Sequence, residues 1–329
     1  MEHVVIRHIL SGLFSFTLAF CLIPLMSRLA KRWDILDHPD GSIKIHKVAV
    51  PYLGGLAIYI SFIVSLIIFY PLKNILWLII GVSLLLILGL LDDLKVFSPF
   101  KKFLGQLVAV ACFLKGGITL KESFFSTGFN TFASGFWMLL VINAFNLVDV
   151  MDGLSSILSI TASLSFFIIA LLLGNYSLSI LLLIFVAPIL AFFYFNKPPA
   201  KIYLGDSGAL FIGGFLAAIP LFFSWSINAI YGFLVPIIIL GLPLLEVSTL
   251  ILIRTFKKIP FYQGSPHHYS IYLRSRGWSD VQVLVFSLVA SVFLSTVAIL
   301  FFLGTLSFKS ICILATFFLL FWLYLIFYL

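Results

Sequence analysis

Eleven apolar runs, following one another along the whole chain, limit what this sequence can fold into. They cover about 9–29, 51–70, 75–91, 103–120, 132–147, 154–173, 178–195, 209–225, 229–253, 281–303 and 308–329. A helix needs roughly 20 apolar residues to cross a bilayer. With 62% of residues hydrophobic and 10% charged, a water-soluble fold has too little interior to hide the apolar surface. The expected fold is therefore all-α: a polytopic integral membrane protein with about 11 transmembrane helices, or 10 if one of the last two runs does not cross. No internal repeat, linker or low-complexity tail interrupts the runs, so residues 1–329 read as a single membrane-embedded domain. The first run is too long for a signal-peptide core and lacks a small-residue cleavage site. Cys21, Cys112 and Cys312 lie inside apolar runs without paired or metal-ligand spacing, and read as small core residues.

Charge gives the orientation. The connections after runs 1, 3, 5, 7 and 9 carry 15 of the 20 Lys and Arg residues. By the positive-inside rule these odd connections are cytoplasmic and the N-terminus lies outside. The net charge of +8 thus reports loop placement rather than nucleic-acid binding. Nine of the 12 acids also lie on the odd side. Topology does not require them there, and a surface built only for anionic lipid would avoid them. Aspartates among basic residues on one membrane face suit a metal and phosphates.

Each polar stretch has a plainer reading beside the chemical one. In "LGLLDDLKVFSPFKKFLGQ", Asp92 and Asp93 repel unless a cation or base lies between them. Ser98 and Pro99 suit a helix start, which places Lys102 and Gln106 one turn apart on one face; the plainer reading is a solvated loop. In "NAFNLVDVMDGL", Asn143, Asn146, Asp149 and Asp152 recur every three residues. An α-helix fans such positions out, so the four share a ligand only if the helix tightens or ends there. In "YLGDSGALFIGG", Asp206 or Ser207 suits the helix N-cap, and that helix start suits an anion or metal-phosphate. In "SPHHYSIYLRSRGWSDVQ", adjacent His267 and His268 are too divergent in a helix for one metal, and suit one phosphate-facing and one structural histidine. Ser279 with Gln282 forms a capping box. Lys44, His46 and Lys47 precede a Gly-Gly helix start that permits close approach to the backbone. Glu246, the one carboxylate inside an apolar run, is either functional or a partner for Arg254 two turns on.

Together the stretches "HKVAVPYLGG", "LLDDLKVFSPFKKFLGQ", "NAFNLVDVMDGL", "YLGDSGALFIGG" and "SPHHYSIYLRSRGWSDVQ" resemble, in order, the polyprenyl-phosphate N-acetylhexosamine-1-phosphate transferases of glycosyltransferase family 4. The resemblance implies a cell (inner or plasma) membrane enzyme with a cytoplasmic site. Such an enzyme moves a sugar-1-phosphate from a UDP-sugar to a polyprenyl phosphate, undecaprenyl being the expected lipid, and releases UMP. It implies Mg²⁺, with Mn²⁺ as a substitute, held by Asn146 and Asp206. It implies catalytic roles for Asp92, Asp93 and Asp206, and substrate contacts from Lys102, Asn143, Asp149, Asp152, His267, His268, Lys47 and His46. It implies no nucleic-acid partner and allows a homodimer. Val150 stands where the family carries glycine, "PHH" replaces a longer histidine cluster, and Glu246 replaces a common aspartate. A secondary transporter is the rival class, but its site would sit near the bilayer midplane, whereas these acids cluster at one face.

Overall fold

The computed structural model describes residues 2–37, 49–225, 231–260, 262 and 265–327. His46 and Lys47, two of the expected substrate contacts, lie outside the described residues. Among the described residues there are thirteen α-helices and one short two-stranded ribbon: α1 (Glu2–Arg32), β1 (Leu36–Asp37), β2 (Val50–Pro51), α2 (Gly54–Phe69), α3 (Leu76–Leu94), α4 (Pro99–Lys115), α5 (Thr127–Val148), α6 (Leu154–Leu172), α7 (Tyr176–Asn196), α8 (Gly205–Ala218), α9 (Leu234–Ile239), α10 (Gly241–Phe256), α11 (Tyr269–Ser275), α12 (Asp280–Phe302) and α13 (Phe308–Phe327). The protein is an all-α polytopic membrane protein. Among the described residues eight helices are long and apolar enough to cross a membrane, α8 being continued by a 3₁₀ turn to Phe222.

The other three apolar runs are also helical. α2 has 16 residues, and α4 carries Lys101, Lys102 and Lys115 in 17. The ninth run breaks in two at Leu240. Pro243 explains the break: it has no N–H to offer Ile239, and its ring crowds that carbonyl.

α8 occupies the centre, packed against α3, α5 and α2. Every residue from Ser207 to Ala218 is buried. Without a water-driven hydrophobic effect between spans, helices associate by close contact at small residues. A Cβ on Gly55 would collide with the Gly208 backbone, and one on Gly89 would collide with the Ser207 backbone. These two glycines bring α2 and α3 onto the first turn of α8. Deeper in the bundle Phe185 stacks on Phe215 at 3.7 Å between centroids, with Phe62 and Phe211 around them.

The cysteines correct a sequence expectation. Cys21 and Cys312 are exposed and Cys112 is half-buried. An apolar position in a spanning helix faces lipid as readily as protein, so apolar surroundings in sequence do not imply the core.

Candidate active site where four helices meet

Asp206 is the hub of a polar cluster drawn from four helices. It stands second in α8, after Gly205, whose φ of +75° is a left-handed conformation. Its Oδ2 accepts from Lys102 Nζ at 2.7 Å, and its Oδ1 accepts from Asn146 Nδ2 at 2.7 Å. Lys102 also reaches Asp92 Oδ2 at 2.9 Å, and Asp92 Oδ1 accepts the Phe97 N–H at 2.6 Å. One ammonium thus bridges the end of α3 and the start of α8. Burial alone would lower the Lys102 pKa, but Asp206 and Asp92 outweigh it and raise it. Lys102 is held charged.

Asp93 does a different job. Its Oδ1 accepts the Asp206 N–H at 2.9 Å and its Oδ2 accepts the Ser207 N–H at 3.1 Å. Sequence reasoning assigned the cap to Asp206 or Ser207. Instead the preceding residue, Leu204, makes no side-chain cap, and Asp93 supplies the capping oxygens from α3. The first N–H groups of a helix need acceptors, and a carboxylate there also meets the positive end of the helix dipole. Tyr52 fixes Asp93 in turn, donating from its hydroxyl to the Asp93 carbonyl at 2.9 Å. With both carboxylate oxygens engaged by α8, Asp93 positions Asp206.

The four residues of "NAFNLVDVMDGL" separate as an α-helix requires. α5 stays helical to Val148. Asn143 exchanges amide hydrogen bonds with Gln106, at 2.8 and 3.2 Å, tying α5 to α4. Asn146, about one turn on, reaches Asp206. Asp149 is the C-cap residue. Asp152 accepts the Ala200 N–H at 2.9 Å, and Asn196 Oδ1 accepts the Gly153 N–H at 2.9 Å. Asn196, a link sequence reasoning missed, also donates to the Ile202 carbonyl. Its signal was an amide closing an apolar run directly before Lys-Pro-Pro. Asp152 and Asn196 therefore anchor the Asp206 loop, while Asn146 alone of the four touches Asp206.

Asp149 is unsettled electrostatically. Burial, then the charges of Asp206, Asp93 and Asp152, push its carboxyl well above the usual range. A folded pKa above the unfolded value of about 3.9 favours the folded state fully below that pH. The advantage disappears as pH rises through the folded value. In EDTA, Asp149→Asn is expected to melt with the parent near pH 4 and above it at pH 8. Equal melting temperatures at both pH values would refute this.

The two histidines sit in different surroundings, and His268 has the structural partners expected of one of them. His268 is buried, with Nδ1 2.9 Å from Glu246 Oε1, and the Tyr269 N–H points to Glu246 Oε2 at 3.4 Å. Tyr269 continues the anchor, with its hydroxyl 2.8 Å from Ser287 and its ring 5.0 Å from Trp322. Glu246 is thus partner to a histidine loop as well as a neighbour of Arg254. His267 is half-buried, with Nε2 2.7 Å from Lys257 Nζ. Burial, then Lys257, Arg254 and His268, lower its pKa, which keeps it neutral beside cations. Glu246→Ala leaves the buried His268 Nδ1 without its partner, a loss of about 1–3 kcal/mol. Its melting temperature should fall, with faster proteolysis between α10 and α11; an unchanged proteolysis pattern would argue against the anchor.

The donor set suits a hard divalent cation. Asp92 and Asp206 converge on one ammonium, and Asn146 joins them. No third His, Cys, Asp or Glu completes a protein-only cage among the described residues. Two carboxylates and an amide that leave room for water and phosphate oxygens match what Mg²⁺ prefers. Asn146 at present turns its NH₂ to Asp206, so a ligating Asn146 would present the other end of its amide.

Comparison with known proteins places the chain. The family described as glycosyl transferase family 4 matches residues 75–224, the segment holding Asp92, Asp93, Lys102, Asn146 and Asp206. The chain is 30% identical over 306 residues to a probable undecaprenyl-phosphate N-acetylglucosaminyl 1-phosphate transferase of Bacillus subtilis, covering 89% of this chain and 85% of the relative. It is 32% identical over 271 residues to the undecaprenyl-phosphate alpha-N-acetylglucosaminyl 1-phosphate transferase of Thermotoga maritima, covering 82% and 83%. It is 30% identical over 318 residues to a phospho-N-acetylmuramoyl-pentapeptide-transferase of Limosilactobacillus reuteri, covering 86% and 94%. With such likeness over nearly its full length, and with the matched segment carrying the cluster, this membrane protein belongs to glycosyl transferase family 4.

Proposed function

We propose that the protein transfers an N-acetylhexosamine-1-phosphate from a UDP-sugar to a membrane polyprenyl phosphate, giving a polyprenyl-diphosphate-sugar and UMP. One observation carries the reading: Asp92, Lys102, Asn146 and Asp206 come from four helices and meet at one end of the bundle. A lipid whose tail lies in the bilayer presents its phosphate at that depth. The site would face the cytoplasm of the cell membrane, where the basic connections lie.

The chemistry is a phosphoryl transfer between two anions. An oxygen of the lipid phosphate attacks the phosphorus that bears the sugar. The bond from that phosphorus to the bridging oxygen breaks, and UMP leaves with the bridging oxygen. A phosphate monoester has its second pKa near 6, so the acceptor is already largely ionised and needs orientation more than deprotonation. Lys102 would neutralise charge on the transferring group, which is where positioning and electrostatics dominate such reactions. Asp93 would keep Asp206 in place. Asn146 and Asp206, with Asp92, would hold Mg²⁺, or Mn²⁺ in its place, which supplies charge neutralisation at the diphosphate. Lys257, with the neutral His267 beside it, would offer a second cationic group for the nucleotide or sugar.

The test is UMP release by purified protein in lipid nanodiscs, given undecaprenyl phosphate, MgCl₂ and UDP-GlcNAc, then UDP-GalNAc and UDP-MurNAc-pentapeptide. UMP that requires both the lipid phosphate and a divalent ion is expected for one sugar. No UMP with any of the three would sink the proposal.

A further inference from the structure

We infer that Lys102 is a built-in counter-ion that occupies the divalent-cation position, so that a cation binds this site only by displacing the lysine from Asp92 and Asp206. The inference rests on the metal reading proposed above and adds to it an order of events.

The geometry is direct. Lys102 Nζ lies 2.9 Å from Asp92 Oδ2 and 2.7 Å from Asp206 Oδ2. Those two oxygens belong to the carboxylates that would ligate a cation. An ammonium between them sits on the line a metal ion must take. The lysine is also held well: its side chain is 17% exposed and that of Asp92 is 8% exposed. Asp93, with both oxygens engaged by the α8 backbone at Asp206 and Ser207, brings a further carboxyl group beside the pair. Two carboxylates sharing one ammonium would repel each other without it, and low local dielectric enlarges the repulsion. Some cation must be present for this packing to persist, and Lys102 provides it.

A divalent ion then competes with a tethered charge. Once displaced, the ammonium needs another anion, and the incoming diphosphate is the group of matching charge. The same side chain thus keeps the site ordered before binding and becomes a phosphate ligand afterwards. It makes metal capture weak without substrate and stronger with it.

The experiment measures Mn²⁺ affinity, by electron paramagnetic resonance, on the full chain in nanodiscs without nucleotide. Lys102→Met is expected to bind Mn²⁺ at least tenfold tighter than the parent. Lys102→Arg, which keeps the charge, should stay near the parent, and Asp206→Asn should lose the site. MgCl₂ should raise the melting temperature of Lys102→Met by more than that of the parent. A Lys102→Met protein that folds only with added Mg²⁺ would support the same conclusion, and Lys102→Gln repeats the measurement if the methionine variant fails to fold in either condition. Parent and Lys102→Met binding Mn²⁺ equally, or the variant binding more weakly, overturns the counter-ion role while leaving the metal site intact. Absence of Mn²⁺ binding in both, with turnover that survives EDTA, would overturn the metal reading as well.

Discussion

Asp206→Ala protein should release UMP about a thousandfold more slowly than the parent while remaining folded. Removing a single preorganised electrostatic group from a phosphoryl or acyl transfer site costs about 10²–10³ in rate, and Asp206 organises several at once. It holds Lys102 through one oxygen and Asn146 through the other. Its loss would free both and remove a cation ligand. Folding should survive because the α8 cap runs from Asp93 to the backbone N–H groups of residues 206 and 207, which alanine retains. Lys102 would still have Asp92 as a partner. The check is steady-state UMP release together with a thermal melt. Activity within tenfold of the parent would remove Asp206 from the reaction. A collapsed melting temperature would make it a structural residue instead.

The second large effect belongs to a residue without a functional group. Gly89→Val is expected to abolish folded protein, at a cost of about 3 kcal/mol or more, the upper end for overpacking a close contact. The added carbon would collide with the Ser207 backbone rather than with a flexible side chain. α3 and α8 would have to separate, and the 2.9 and 3.1 Å bonds from Asp93 to α8 would open with them. Gly128, on the first turn of α5, is the control, since a side chain there meets open space. Gly128→Val should elute as a monodisperse species on size exclusion, whereas Gly89→Val should aggregate or fail to accumulate. Equal behaviour of the two variants would show that the α3–α8 contact tolerates separation.

These two expectations show how unevenly the site is written in the chain. Asp92, Asp93, Lys102, Asn146 and Asp206 stand out in sequence because polar residues are costly in an apolar chain. Their division of labour does not. Asp92 and Asp93 are neighbours with one chemistry, yet Asp92 faces Lys102 while Asp93 caps another helix. The rotation of α3 against α8 makes that difference, and Gly89 sets how near they come. Asn143 and Asn146 are equally alike in composition. A step of three residues turns them about 60° apart, which sends one to Gln106 and the other to Asp206.

Local chemistry alone determined the capping box at Ser279 and Gln282, which forms as its spacing requires, because all of its atoms lie within one turn. Apolar run length alone determined that the protein is an all-α membrane protein, because a backbone in lipid must satisfy its own hydrogen bonds. Periodicity could not say whether Cys21 or Cys312 faces protein or lipid, since both surroundings are apolar and pattern no longer separates inside from outside. Nor could it say that α8 would take its cap from Asp93, 113 residues away along the chain. That choice depends on which helices lie side by side, and only the packed bundle decides it.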